Sequence, residues 1–139
     1  MTIISDVDRP SAIETMELYR SVGWTAYTST PETLLRAIAG SSYVVTARDT
    51  DGGLLGLARA ISDDASICYL QDILVTPAAQ RSGAGREMVK AVLERYRHVR
   101  QVVLITDDEE GQRLFYESLG FTEARDVAPN SLRAFVKLN

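Results

Sequence analysis

The most restrictive feature of this chain is a single junction. Ile67-Cys-Tyr-Leu-Gln-Asp-Ile-Leu-Val75 is nearly continuous apolar sequence, and it passes through Thr76-Pro-Ala-Ala-Gln80-Arg-Ser-Gly83-Ala-Gly85-Arg86 into a new pattern. There Met88, Val89, Val92, Leu93 and Tyr96 recur at helical spacing, and Val102 to Ile105 then reads as a short buried strand. Strand, loop, helix and strand in that order predict a parallel crossover, which is right-handed in nearly all folds. The apolar run predicts a first strand covered on both faces.

The flanking sequence adds antiparallel strands and further helices. Thr2 to Val7 reads as a short strand. Pro10 is an early helical residue before Ile13, Met16, Glu17, Leu18 and Arg20, and Gly23 stops that helix. Thr30 is expected to cap a second helix that carries Pro31 in its first turn and buries Leu34, Leu35 and Ile38 before Gly40. Trp24 and Tyr27 fall in the connection between the two. Tyr43 to Arg48, the turn Asp51-Gly52-Gly53 and Leu54 to Ile61 form a hairpin. Asp107 to Leu119 is a helix with Leu114, Phe115 and Leu119 inward, ended by Gly120, and Phe121 and Leu132 to Leu138 are the last strands.

Composition limits the classes of function. At 139 residues the chain is the size of one domain, residues 1–139. One cysteine, Cys68, allows no internal disulfide, and one histidine, His98, leaves no cluster with zinc spacing, so no metal is expected. No apolar run approaches a bilayer span, and Met1-Thr-Ile-Ile-Ser lacks the basic start of a signal peptide, so the expectation is a cytoplasmic protein without a membrane partner. The formal net charge is −4, yet Arg81 to Arg100 holds six basic residues against Glu87 and Glu94. That window is short and carries only Tyr96 as a stacking ring, which argues against nucleic acid and for a small polyanion.

The turn from Val75 into the helix suits such an anion. A helix N-terminus carries unpaired N–H groups and partial positive charge, and glycines let a phosphate approach the main chain. No Gly-Lys-Ser/Thr follows, and the third glycine of a dinucleotide fingerprint is missing after Gly83-Ala-Gly85. From these residues alone, an anion cradle and a plain strand-to-helix turn both remain open.

Gln80-Arg81-Ser82-Gly83-Ala84-Gly85 resembles the Gln/Arg-x-x-Gly-x-Gly/Ala signature of the GNAT superfamily of N-acetyltransferases, and Phe115-Tyr116-Glu117-Ser118-Leu119-Gly120-Phe121 resembles the family's Phe-Tyr-x-x-x-Gly-Phe segment. The resemblance implies an α/β (α+β) fold: a mixed, mostly antiparallel sheet, flanked by helices, whose two central parallel strands splay apart to admit acetyl-CoA. The backbone of Ile73, Leu74 and Val75 would pair with the pantetheine arm, and the N–H groups of Arg81, Ser82, Gly83, Ala84, Gly85 and Arg86 would hold the pyrophosphate. Tyr116 matches the general acid. Trp24 and Tyr27 correspond to a segment that lines the acceptor pocket in the family, though both rings also suit a core position.

The implied activity is acetyl transfer to a primary amine of a small molecule or peptide by direct attack in a ternary complex. A non-catalytic acyl-CoA-binding or regulatory module is the alternative. Pairing of two copies through the last strands is a family trait. Asp72 is the one carboxylate inside the apolar strand, readable as a base, a substrate contact or the partner of an arginine. Gln71 stands where some relatives place a glutamate base, and an amide cannot take a proton, so a water relay is the default. Glu109 and Gln112 occupy positions where many relatives carry Asn and Ala. Asp107-Asp108-Glu109-Glu110 reads as helix capping or as a lure for a cationic amine.

Overall fold

In a computed structural model describing residues 1–139, the chain divides into two compact units, Met1–Ile105 and Thr106–Asn139. The first holds a five-stranded sheet in which β1 (Ile3–Ser5), β2 (Tyr43–Arg48), β3 (Leu54–Ser62), β4 (Ile67–Val75) and β5 (Gln101–Leu104) lie side by side in chain order. The first four are antiparallel neighbours, and β5 runs parallel to β4. Helices α1 (Ala12–Ser21), α2 (Thr25–Thr28), α3 (Pro31–Ala39) and α4 (Ala84–Arg95) complete this unit.

Both faces of the sheet are covered. Met16, Leu18 and Tyr19 of α1 and Leu34 of α3 pack with Val44, Leu57 and Leu74 on one face. Val45, Ala47, Gly56, Ala58 and Ala60 line the other by register, opposite buried Met88, Val89 and Val92 of α4. Their small side chains let α4 come close. A Cβ on Gly56 would lie 2.8 Å from both the Leu74 carbonyl and the Met88 methyl, so this position has no room for one. Each fully buried Leu, Met or Val contributes roughly 1.5–3 kcal/mol relative to exposure.

Strand β4 departs from its expected form. Cys68, Leu70, Asp72 and Leu74 are buried, whereas the residues between them are partly or fully exposed. Arg59 pairs with Asp72 and the next residue, Ala60, with Leu70, so Gln71 has no partner and forms a bulge. The bulge also changes the phase of the strand. Leu70 shares the α4 face with Ala60, while Asp72 shares the α1 face with Arg59. Burying both halves through opposite faces is what made the run look covered on both sides.

Helix α1 begins later than Pro10 suggested. Ser11 caps it, its hydroxyl accepting from the Glu14 N–H at 3.1 Å while the Glu14 carboxylate accepts from the Ser11 N–H at 3.0 Å. Ile13 faces solvent. Thr30 and Pro31 open α3 as expected, but the Thr30 side chain makes no capping bond.

The second unit contains α5 (Glu110–Ser118) and a 3₁₀ turn at Ala124–Asp126. The helix starts at Glu110 rather than Asp107, and Leu114 is exposed rather than inward. The strands expected at Phe121 and at Leu132 to Leu138 are not formed. Residues 131–139 are exposed throughout, including Phe135 at 86% and Leu138 at 89%. Strand propensity records how a side chain fits a pleated, half-buried surface, and this tail has no paired neighbour to supply one.

Candidate functional site

The site begins where β4 and β5 part. Their last paired residues are Leu70 and Leu104, yet β4 continues through Gln71, Asp72, Ile73, Leu74 and Val75. On its other side β4 stays paired with β3 up to Val75. The end of β4 therefore has one satisfied edge and one whose N–H and C=O groups lack a strand neighbour. Such an edge accepts an extended, amide-bearing ligand as an added strand. The Thr76 N–H bond to the Leu55 carbonyl sets the main-chain groups of Leu74 toward β3 and turns those of Ile73 and Val75 to the open edge.

The turn that follows is shaped by backbone geometry. The Thr76 N–H bonds the Leu55 carbonyl at 2.8 Å, Pro77–Ala79 makes one 3₁₀ turn, and the Gln80 side chain donates to the Val75 carbonyl at 3.2 Å. Arg81 at φ 68° and Gly83 at φ 92° are both left-handed. Only glycine takes the second value without strain. A Cβ on Gly83 would meet no atom within 4 Å, so this position faces open space and its constraint is conformational.

Gly83 is also the N-cap of α4, where no side chain caps the helix. The Ala84 N–H reaches the Ser82 hydroxyl at 3.3 Å, and the Glu87 N–H to the Gly83 carbonyl, 3.0 Å, is the first bond of the helical ladder. The opening turn thus presents N–H groups and the positive end of a three-turn helix beside open space. Arg81, Ser82, Gly83, Ala84, Gly85 and Arg86 are brought together here. Lys90, one turn further on, is 3.6 Å from Glu87.

Asp72, Tyr27 and Trp24 meet in a second cluster, on the α1 face of the same strand. Asp72, 3% exposed, accepts from Arg59 Nε at 2.5 Å, from the Tyr19 hydroxyl at 3.0 Å and from the Tyr27 hydroxyl at 2.9 Å. Arg59 also donates to the Tyr27 oxygen at 3.2 Å and to the Ser41 hydroxyl at 3.3 Å, and its guanidinium lies 5.9 Å from the Tyr27 ring centre. Trp24 packs edge-on against Tyr19 at 5.9 Å and lies 6.1 Å from Tyr27. Burial, reinforced by the Asp72 charge, drives the Tyr19 phenol far above its usual range, so it is a permanent donor. Of the three readings of Asp72, partner of an arginine is the one this geometry displays.

Arg59 and Tyr19 escaped notice in the sequence. The available signal was an arginine inside the apolar run Gly-Leu-Ala-Arg-Ala-Ile and an aspartate inside the next strand. Opposite charges at the centres of adjoining buried strands call for each other.

In the second unit, Tyr116 sits on α5 with its ring 5.0 Å from Phe115 and 5.7 Å from Phe121, whose N–H bonds the Tyr116 carbonyl at 3.1 Å. Burial pushes its phenol up to about 12, with no hydrogen bond or nearby charge contributing. The hydroxyl is therefore fully protonated at neutral pH. Glu109 is the N-cap of α5 and its carbonyl accepts from the Gln112 N–H at 3.0 Å.

Comparison with known proteins decides the family. The model for the acetyltransferase (GNAT) domain matches residues 39–123, which takes in the hairpin, the β4 edge, the glycine turn and α5. The chain belongs to the GNAT acetyltransferase family. A GNAT family acetyltransferase from Streptococcus pneumoniae TIGR4 superposes with a TM-score of 0.81 over 100% of both chains at 29% identity. A structure titled AAC(6')-Iy in complex with a CoA-linked acetylneamine bisubstrate analogue shares the fold, with a TM-score of 0.69 over 96% of this chain and 99% of that one, at 16% identity. A Glycine max protein named histone acetyltransferase TAP1 is 30% identical over 72% of this chain and 47% of its own length. The GNAT chain described here spans about half the length of the curated relatives it matches. No helix in it is long and apolar enough to cross a membrane.

Proposed function

We propose that this GNAT domain is an acetyl-CoA-dependent N-acetyltransferase whose acceptor is a primary amine of a small molecule or a peptide. The observation that carries the reading is the open β4 edge followed, after the 3₁₀ turn Pro77–Ala79, by the left-handed turn at Gly83. An extended chain of amides ending in a diphosphate needs an unpaired strand edge followed by a cluster of N–H groups, and the two occur here in that order. Of the stretch Ile73, Leu74 and Val75, the outward main-chain groups of Ile73 and Val75 would hold the pantetheine arm, and the N–H groups of residues 81–86 the pyrophosphate. When bound, acetyl-CoA supplies an activated thioester.

The remaining requirements fall to the chain. A lysine-like amine is neutral only about once in a few thousand molecules at pH 7, so the site must select and orient that form. Asp72 does not serve as the base in this scheme, because two phenols and a guanidinium already occupy its oxygens. The proton lost by the amine goes to water. Tyr116, protonated and shielded, is the donor to the departing thiolate, a role worth typically ~10²–10⁴-fold. A peptide or small-molecule acceptor is in keeping with a relative named histone acetyltransferase and with a structure that holds a CoA-linked acetylneamine analogue.

Glu109 and Gln112, which depart from the family pattern at the start of α5, favour the rival reading of an acyl-CoA-binding module without turnover. Two assays decide. Acetyl-CoA raises the melting temperature while ATP and NAD do not, and thiol is released from acetyl-CoA when amines are supplied. Stabilisation without thiol release from any amine favours the binding module, and no stabilisation removes both readings.

A further inference from the structure

Tyr27 has one proton and two lone pairs, and all are committed. Its proton goes to Asp72 Oδ1 at 2.9 Å, since an ionised carboxylate paired with Arg59 can only accept. Its oxygen accepts from Arg59 at 3.2 Å and from the Gln71 side chain at 3.1 Å. The Gln71 atom that meets Tyr27 must therefore be the amide nitrogen. This bookkeeping fixes which way the amide faces, and the carbonyl Oε1 is directed away from Tyr27.

Gln71 is itself the bulge, exposed, at the first residue beyond the last β4–β5 pair. Bulges recur beside active sites because they re-aim a side chain out of the strand's alternation. Here the bulge sets an amide carbonyl at the fork, immediately before the free edge of Asp72 to Val75. We infer that Gln71 recognises the acceptor: its Oε1 accepts a hydrogen bond from the N–H of the incoming amine, and Tyr27 is the positioning residue that aims it. This inference rests on the transferase reading.

The chemistry fits an amide better than a carboxylate. Gln71 takes no proton; it holds one N–H so that the nitrogen lone pair stays free to attack. As the C–N bond forms the nitrogen gains positive charge, so the hydrogen bond strengthens and raises turnover as well as affinity, while the thioester C–S bond breaks and the thiolate leaves as the protonated thiol. Water then takes the surplus proton. A glutamate at this position would set a carboxylate against an oxygen that has no proton to give, and would turn away from Tyr27.

The test uses the intact chain and thiol release from acetyl-CoA with tyramine, spermidine, Nα-acetyl-lysine amide and an alanine-initiated peptide, with full kinetics on the fastest. Gln71→Leu is expected to raise the acceptor KM about three- to tenfold, the loss of one partly exposed hydrogen bond, with acetyl-CoA KM and melting temperature unchanged. Tyr27→Phe is expected to shift the same parameter, and the double variant is expected to be no worse than the more impaired single one. An unaltered acceptor KM in Gln71→Leu, or equal shifts in both KM values, overturns the inference while leaving the transferase reading intact. A wild-type chain that transfers to none of the four amines overturns both together.

Discussion

The Arg59–Asp72 pair gives the sharpest stability prediction. Arg59→Met keeps the length and apolar stem of the side chain but removes the guanidinium, leaving a carboxylate that is 3% exposed with only the phenols of Tyr19 and Tyr27 as donors. It also strips one partner each from the Tyr27 and Ser41 oxygens. Breaking a buried pair from one side typically costs about 3–5 kcal/mol, because the surviving charge has neither water nor counter-ion. For a domain of this size that corresponds to roughly 6–20 °C of melting temperature. Against a usual total of about 5–15 kcal/mol, that loss is roughly a fifth of the stability or more.

Urea titration followed by tryptophan fluorescence is well placed to read this loss. Trp24 is the only tryptophan and packs 5.9 Å from Tyr19 within the same cluster. Adding Asp72→Asn to Arg59→Met removes the stranded charge and is expected to recover at least half of the deficit. A single-variant loss under about 1 kcal/mol, well below the cost of stranding a buried charge, would mean that Asp72 does not depend on Arg59. So would losses in the two single variants that simply add in the double.

Three further outcomes follow from the same geometry. Gly83→Ala forces a Cβ into a φ of 92°, a strain of about 1–2 kcal/mol, and is expected to weaken acetyl-CoA binding about tenfold in a calorimetric titration while an equivalent change at exposed Gly111 does not. Tyr116→Phe is expected to lower turnover at least tenfold with acetyl-CoA affinity nearly unchanged, and an unaltered turnover number removes it as the acid. Hydrogen bonds from Arg48, then from the Ser11 backbone, hold the Glu14 carboxyl down at about 2 from an ordinary 4.5. Its contribution is therefore complete above about pH 4.5 and is lost as pH falls toward 2. With the side chain 34% exposed that contribution is ~1 kcal/mol or less, so the melting-temperature advantage of wild type over Glu14→Gln should be a few degrees at pH 6 and shrink by pH 3.

The legible parts of this fold are those whose determinants lie within a few residues of each other. The limits of β2 and β4 follow from β-branched and aromatic runs ended by turns, and the Gly83 turn from a glycine that stands before a helical period. Ser11 displaced Pro10 as the start of α1 because the reciprocal bonds with Glu14 outweigh a fixed φ. The bulge at Gln71 and the Arg59–Asp72 pair are settled by how β3 meets β4, so neither has a local signature. In the tail, Leu132 to Leu138 has the composition of a strand, but composition does not provide a partner. The shape of the glycine turn could be read in advance because it is a local property of the backbone. The Tyr27–Gln71 arrangement could not, because it needs three elements in register.

In the proposed complex acetyl-CoA extends the sheet along the open edge of β4 and ends at the α4 turn. Residue-resolved amide hydrogen exchange, with and without saturating acetyl-CoA, tests it most directly. Slowed exchange is expected at amides within Gln71–Val75 that point away from β3 and within residues 81–86, with β2 unchanged. Acetyl-CoA that binds by calorimetry yet leaves both segments exchanging at their free rates would contradict it.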